Sequence, residues 1–213
     1  MCWRMFRAAL AISLCLAGAS ASAAQTKPAP LLEGATGEQA ARLLAAHNRE
    51  RVLVGAPSLQ WDAQLAMHAA SYGPVLASLH TLVHSPRAGR PGERENLAMA
   101  WHGTMSPEQL VDLWGREKLI LQPGSSGAEC PEQFGCLRFP AVSRTGRWED
   151  VAHYTQMVWP TTTRVGCAIF AADWDYLICR YSPPGNVDGK PIFASAPVTA
   201  YAATSAGSPE TSR

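Results

Sequence analysis

The chain has 213 residues, of which 47% are hydrophobic and 16% are charged, and its formal net charge is +1. A charge balance this close to neutral lacks the concentrated excess of Lys and Arg that phosphate binding needs, so nucleic acid is not an expected partner. The length suits a single domain of ordinary size, which can bury its own hydrophobic core.

Residues 1–24 have the pattern of a signal peptide. Arg4 and Arg7 supply a positive start, residues 8–17 are an apolar run, and residues 21–23 are small, as a cleavage site requires. The run is too short to span a bilayer, so we expect a cleaved signal, a secreted or periplasmic protein and no membrane span. Cleavage leaves 16 basic residues against 17 acidic ones, a net charge near −1.

Composition divides the remaining chain into three parts. Residues 25–36 are rich in Ala and Pro and are expected to form a mobile lead-in. Residues 37–195 alternate between helical and extended patterns and are expected to form the folded domain. Residues 196–213 are rich in Ala, Ser, Thr and Pro, which predicts a disordered tail.

Two helices are predicted in the first part of the domain. Thr36 and Gln39 fit a capping box, which predicts a helix that runs to about Leu53. Apolar residues recur at helical spacing over residues 61–72, which indicates a second helix. The Gly-Pro pair at 73–74 should end or bend this helix, because proline cannot donate a backbone hydrogen bond.

Two further helices are predicted later in the chain. Ser106, Pro107 and Gln109 combine a capping box with proline at the first helical position. Helical spacing then places Glu117 on the same face as the apolar residues that follow this start. A last helix is expected over residues 148–159, because a proline comes next.

The clearest strands form a late hairpin. Residues 165–171 and 175–181 are rich in Val, Ile, Tyr and Phe and surround a turn near Asp173. Residues 95–101 are expected to be partly extended. Helices followed by a late hairpin favour an α+β fold, with helices over both faces of an antiparallel sheet.

Cysteine usage agrees with export. Besides the two cysteines in the signal, the chain carries Cys130, Cys136, Cys167 and Cys179, and an even count favours disulfides outside the cytosol. The predicted hairpin sets Cys167 opposite Cys179, close enough to bridge, which leaves Cys130 and Cys136 to close a small loop. A zinc site made from all four is less favoured, because neither pair has zinc-ribbon spacing.

Two titratable residues on predicted helices are ambiguous on pattern alone. Glu117 lies on a face expected to be buried, where a carboxylate either reaches water at the edge or has a function. His153 lies on a helix with buried neighbours, where a lone His is more often a hydrogen-bonded core residue than a metal ligand.

Two longer motifs carry a family resemblance. Residues 152–159 read AHYTQMVW and residues 176–187 read YLICRYSPPGNV. Together they resemble the paired signatures of the CAP superfamily (cysteine-rich secretory proteins, antigen 5, pathogenesis-related 1), and the likeness covers about residues 38–193. The resemblance implies a three-layer α-β-α sandwich with a central antiparallel sheet flanked by helices, and it supports the Cys167–Cys179 bridge.

The same resemblance implies a cavity that brings together two His and two acidic residues from four segments. The matching positions are all intact and are His84, Glu95, Glu117 and His153. Arg94 stands where relatives usually carry Gly, so its backbone has to avoid a Gly-only conformation. This change is expected either to tilt Glu95 or to bring in a positive charge that holds it ionised. Ala152, where relatives usually carry a polar residue or Gly, should be harmless.

Two imidazoles and two carboxylates suit a borderline divalent ion, with zinc the leading candidate. Zinc needs neutral imidazole, so its binding should weaken as pH falls through about 6 to 6.5. The same groups also fit an acid/base pair without metal, or a structural network.

Three functions follow from these patterns. The leading hypothesis is a non-enzymatic secreted domain that binds a divalent metal and a small apolar or lipid ligand. A second is a hydrolase that uses Ser85, His153 and Glu117 in the same cleft, although adjacent His84 is badly placed to act as base for Ser85. A third is an interaction module for an extracellular protein, with the cavity vestigial.

Overall fold

The computed structural model describes residues 37–122 and 137–193. Its α-helices are α1 (Gly37–Leu53), α2 (Ala63–Leu79), α3 (Pro107–Gly115) and α4 (Ala152–Met157). Its strands are β1 (Gln60–Trp61), β2 (Arg94–Trp101), β3 (Arg164–Ala171) and β4 (Trp174–Ser182). Short 3-10 helices cover Arg87–Gly89, Arg116–Ile120 and Trp148–Val151. The predicted signal, lead-in, tail and Cys130–Cys136 bridge lie outside the described residues.

The strands form one sheet in the order β1-β3-β4-β2, and its centre is the predicted hairpin. β3 and β4 are antiparallel with Cys167 opposite Cys179, and the two cysteines form a disulfide, as predicted. β2 joins β4 antiparallel and forms an edge of the sheet. β1 was not predicted, because two residues carry no periodicity; it pairs in parallel with β3 and makes the sheet mixed.

Helices cover both faces of the sheet. Alternate residues of β4 point to opposite sides: Tyr176 and Ile178 pack in a core with α2, whereas Leu177 and Tyr181 pack in a larger core with the remaining helices. The structure thus has three layers, α2 on one side and α1, α3 and α4 on the other. The predicted α+β class and α-β-α sandwich are confirmed.

The described helices differ from the predictions at Pro74 and after Gly115. Of the two outcomes predicted at Gly73 and Pro74, an end of the helix is wrong, because α2 continues through both residues to Leu79. A Cβ at Gly73 would lie 2.5 Å from the side chain of Phe170, so this glycine lets the helix pack closely on β3, and tertiary packing outweighs the hydrogen bond that proline removes. In addition, α3 ends at Gly115, so Glu117 belongs to the following 3-10 helix.

Local capping explains where the helices begin. Ser106 accepts a hydrogen bond from the backbone of Gln109, whose side chain bonds back to Ser106, so the predicted capping box is present. Asp62 caps α2 by accepting from two backbone N–H groups, although no cap was predicted at this position.

The predicted last helix is divided into the 3-10 helix Trp148–Val151 and α4, which ends at Met157. No described helix has the length and apolar character needed to cross a membrane.

Candidate functional site

A cleft of about 790 Å³ lies where edge strand β2 begins. Its lining residues include ones from β2, from α4 and from the loops before β2 and after β4. They include His84, Ser85, Glu95, Asn96, His153 and Asn186. Because β2 is an edge strand, groups from both faces of the sheet reach the same cleft.

The first half of the site lies on the α2 face of the sheet. His84 Nδ1 is 2.8 Å from Glu95 Oε1, which also accepts the backbone N–H of Ser85 at 2.9 Å. Glu95 Oε2 accepts the hydroxyl of Ser85 and pairs with Arg180 Nη2, both at 2.9 Å. Both oxygens of Glu95 are therefore occupied, and this carboxylate orients the ring of His84.

Electrostatics keep Glu95 ionised. Burial alone would raise the pKa of this carboxyl, but hydrogen bonds from His84 and Ser85 and the charge of Arg180 outweigh burial and lower its pKa. Arg94 stays in the regular β2 ladder opposite Tyr181 and does not tilt Glu95. The positive charge that was expected from Arg94 comes from Arg180, the cross-strand neighbour of Glu95.

The second half lies on the other face. His153 Nδ1 is 2.6 Å from Glu117 Oε1, and the backbone N–H of Tyr154 donates to Glu117 Oε2 at 2.9 Å. Trp114 stacks beside the His153 ring, with 6.0 Å between ring centroids. The 3-10 helix after α3 turns Glu117 towards the first turn of α4, so this pair repeats the arrangement of His84 and Glu95.

Asn96, the residue after Glu95 in β2, bonds to the second half of the site. Its side-chain amide donates to the backbone oxygen of His153 at 2.9 Å and to the hydroxyl of Tyr181 at 3.2 Å. That hydroxyl lies 2.8 Å from His47 Nε2, while His47 Nδ1 bonds to the oxygen of Leu43. His47 is buried, and both of its ring nitrogens are used in these structural bonds. Asn96 follows Glu95 in β2, so its side chain faces the opposite side of the sheet. The alternation of side chains along a strand would have been enough to predict this orientation from the sequence.

The loop after β4 forms the wall of the cleft beside α4. Asn186 adopts a left-handed backbone conformation with φ 52°. Its side chain accepts a hydrogen bond from Thr155 and donates one to the oxygen of Ala152, each at 2.8 Å. The N–H of Gly185 donates to Gln156 Oε1 at 2.9 Å. These bonds attach the loop to α4.

The four predicted residues thus form two His–Glu pairs. His84, Glu95 and His153 line the cleft, and Glu117 is linked to it through its hydrogen bond with His153. Within the described ranges, no three of them bring donor atoms within 4.8 Å of one another; the group that does so is His47 with the two disulfide-bonded cysteines, whose sulfurs are not free to bind metal. Each imidazole uses Nδ1 for a carboxylate, and its Nε2 bonds to no group in the described part of the chain. These ligand atoms fit a metal ion bound by the two Nε2 atoms, with each carboxylate orienting its imidazole through Nδ1.

Ser85 has different partners from those a hydrolase needs. Its hydroxyl donates to Glu95 and lies 3.1 Å from Arg180 Nη2. In residues 37–122 and 137–193, neither His84 nor His153 bonds to this hydroxyl. Ser85 therefore helps to hold Glu95 in place, and these contacts give it no histidine as a general base.

Comparisons with known proteins find related sequences. The model of the cysteine-rich secretory protein family, CAP, matches residues 44–181. Pathogenesis-related protein 1C of Nicotiana tabacum is 36% identical over 149 residues, 69% of this chain and 76% of that protein. Secreted protein RBT4 of Candida albicans is 31% identical over 155 residues, 70% of this chain and 36% of that protein.

A solved structure with the same fold is similar as well. The crystal structure of NaASP2 with Zn2+ matches with a TM-score of 0.55 at 26% sequence identity, covering 74% of this chain and 86% of that one. The family match extends from α1 to β4 and so includes all four residues of the two His–Glu pairs. The chain therefore belongs to the CAP family of cysteine-rich secretory proteins.

Proposed function

We propose that this chain is an exported, non-enzymatic CAP domain whose cleft binds a divalent metal ion, zinc foremost, together with a small apolar or lipid ligand. His84 and His153 would hold the ion through Nε2. Glu95 and Glu117 complete the predicted set of four by orienting the imidazoles. The bound ion would supply positive charge and open coordination positions for an oxygen ligand.

One observation carries the metal proposal: both imidazoles donate from Nδ1–H to a carboxylate, which leaves the Nε2 lone pair for a ligand. Metal-binding His residues in proteins are commonly oriented by such a carboxylate. The relative NaASP2 has been crystallised with Zn2+, which supports metal binding by this chain. The relative RBT4 is named a secreted protein, which supports export.

Calorimetric titration with zinc tests the metal proposal. We expect wild-type protein to bind zinc, and His84→Ala or His153→Ala to bind it at least about tenfold more weakly, because each removes a ligand. His102→Ala is the matched control, because His102 Nδ1 lies 2.7 Å from Asp175 Oδ1 outside the cleft and has the same carboxylate partner type. Equal heats for wild type and His153→Ala would remove His153 as a ligand.

Two further measurements separate the competing functions. Metal analysis of protein purified from its own host, without added metal, tests whether the protein carries the ion in its natural setting. The hydrolase alternative is tested with Ser85→Ala: hydrolytic activity that this change leaves intact does not use Ser85 as its nucleophile. A protein partner that binds His84→Ala/His153→Ala as tightly as wild type would favour the interaction module.

A further inference from the structure

Three arginines line one wall of the cleft. Arg87 lies in the 3-10 helix Arg87–Gly89, Arg90 follows it, and Arg94 is the first residue of β2. The carboxylates in the same lining are Glu95 and Asp188. Glu95 already pairs with Arg180, so it neutralises little of the charge that the three arginines bring.

The three guanidinium groups differ in how they are held. Arg90 is buried and donates from Nε to the oxygen of Ser85 at 3.1 Å and from Nη1 to the oxygen of Glu93 at 3.3 Å. Arg87 and Arg94 are more exposed, and within the described residues neither forms a hydrogen bond or ion pair through its side chain. Two charged groups with unused donors therefore face the cleft.

These groups lie close enough to repel one another. Burial lowers the pKa of Arg94, and the charges of Arg87 and Arg90 lower it further, while Asp188 opposes them. An anion placed between Arg87 and Arg94 would relieve this repulsion and accept the free N–H donors.

Other parts of the cleft lining are apolar. Phe139, Pro140, Trp148 and Val187 contribute to it, with Trp148 and Val187 each 40% exposed. The Phe139 and Trp148 rings meet edge to face at 5.4 Å between centroids. A cleft that combines free guanidinium groups with an apolar wall matches a ligand that has both kinds of surface.

We propose that the cleft binds an amphiphilic organic anion, with its carboxylate or phosphate on Arg87 and Arg94 and its apolar body against Phe139, Trp148 and Val187. This assignment names the class of ligand that would bind in the cleft of the proposed function. It rests on that function only because both proposals concern the same cleft. It depends on Arg87 and Arg94, because these are the lining arginines whose side chains form no hydrogen bond or ion pair within the described residues.

The test is calorimetric titration with octanoate, 1-octanol and inorganic phosphate, in EDTA and again with zinc. We expect octanoate to bind at least about tenfold more tightly than either of the other probes, because it alone uses both surfaces. Arg94→Ala and Arg87→Ala should each weaken octanoate binding about tenfold, and added NaCl should weaken it in wild type. Octyl phosphate distinguishes a phosphate headgroup from a carboxylate.

Arg49→Ala is the matched control, because Arg49 pairs with Asp112 on the surface and does not line the cleft. Its octanoate affinity should equal that of wild type. Arg87 lies in an exposed turn, so its variant remains informative even where Arg94→Ala fails to fold. Equal binding of octanoate and octanol, or full affinity in Arg87→Ala, would overturn the anion site; equal binding of phosphate and octanoate would overturn the amphiphile.

The two proposals fail separately. Zinc binding without octanoate binding, in either buffer, overturns this inference and leaves the metal site standing. Octanoate binding in EDTA that depends on Arg87 and Arg94 supports the inference even where zinc does not bind.

Discussion

The carboxylate of Glu95 and the guanidinium of Arg180 form a buried ion pair of 2.9 Å between neighbouring strands. The side chains are 0% and 5% exposed, so neither charge can turn to water. Because Glu95 also holds His84, the stability of the sheet and the geometry of the cleft depend on the same pair.

Arg180→Met should destabilise the protein by about 3–5 kcal/mol at neutral pH, because it leaves the Glu95 carboxylate buried without its opposite charge. The pKa of Glu95, which lies below its usual value in the wild type, should then rise. A raised carboxyl pKa makes the loss largest above that pKa and smaller as pH falls and the group protonates. Urea unfolding at several pH values measures this.

Arg164→Met is the control for this change, because Arg164 pairs with Asp62 but is 52% exposed at the side chain. Its loss should cost about 1 kcal/mol or less. Adding Glu95→Gln to Arg180→Met should recover part of the stability, because the two residues are coupled. A double variant that is simply the sum of its parts would show that the pair does not act as a unit.

The pH dependence of stability should contain a contribution from His47. Burial lowers its pKa from 6.5 to about 4; the hydrogen bond to Leu43 opposes this and the charge of Arg51 adds to it. Below pH 6.5 the unfolded chain therefore protonates this imidazole while the folded chain does not. Stability should fall between pH 6.5 and 4, by at most about 3 kcal/mol from this residue.

Unfolding free energies of wild type and His47→Gln, measured from pH 7 to 5, check this expectation. The variant lacks the titrating group, so its stability should depend less steeply on pH than that of wild type, whatever its absolute stability. Identical slopes would show that His47 is not the group responsible.

Removing the disulfide should lower stability. Cys167 and Cys179 are separated by 12 residues and join adjacent strands at the centre of the sheet. The double change Cys167→Ala/Cys179→Ala should cost about 2–4 kcal/mol, because the unfolded chain regains the freedom that the crosslink removes. Thermal unfolding of this variant, beside wild type with and without reductant, measures the loss.

Peptide mapping without reduction checks the connectivity. It should recover Cys167 linked to Cys179, and it also tests the predicted Cys130–Cys136 bridge, which the described residues do not include. Wild type that loses no stability on full reduction would contradict a stabilising role for the crosslink.

The hairpin and its disulfide were predictable because strand alternation and a short turn fix the register of neighbouring strands. The partners of the site residues were less predictable. Arg180 and Glu95 are 85 positions apart in the chain and meet only through the pairing of β2 with β4. The continuation of α2 past Pro74 depends on the contact of Gly73 with Phe170. Phe170 lies far away in the sequence, so the residues around Pro74 do not predict this contact.

The residues of the candidate site were predictable only through the family resemblance. Helical periodicity placed Glu117 on α3, whereas it lies in the next 3-10 helix and is turned towards His153. A lone His or Glu on a buried face gives no information about its partner, since that partner lies on another element. The polar link through Asn96 required the three-dimensional order of the strands.

Gly185 allows the loop after β4 to approach α4 closely. A Cβ there would lie 2.6 Å from Trp159 Cγ and 2.9 Å from Gln156 Nε2. Trp159 is almost fully buried and cannot move aside. Gly185→Ala should therefore push the loop outward, break the bond from the Gly185 N–H to Gln156, and cost about 1–3 kcal/mol.

The displacement should also reach the cleft, because Asn186 and Val187 follow directly and line it. We expect Gly185→Ala to weaken both zinc and octanoate binding as well as stability. Gly89→Ala is the matched control: it lies in the turn beside Arg87, and an added Cβ meets nothing within 4 Å. Its stability should stay within about 0.5 kcal/mol of wild type. Urea midpoints of unfolding that equal the wild-type value for both Gly185→Ala and Gly89→Ala would contradict this expectation. They would show that Trp159 and Gln156 do not confine the loop, because rigid side chains there would destabilise only Gly185→Ala.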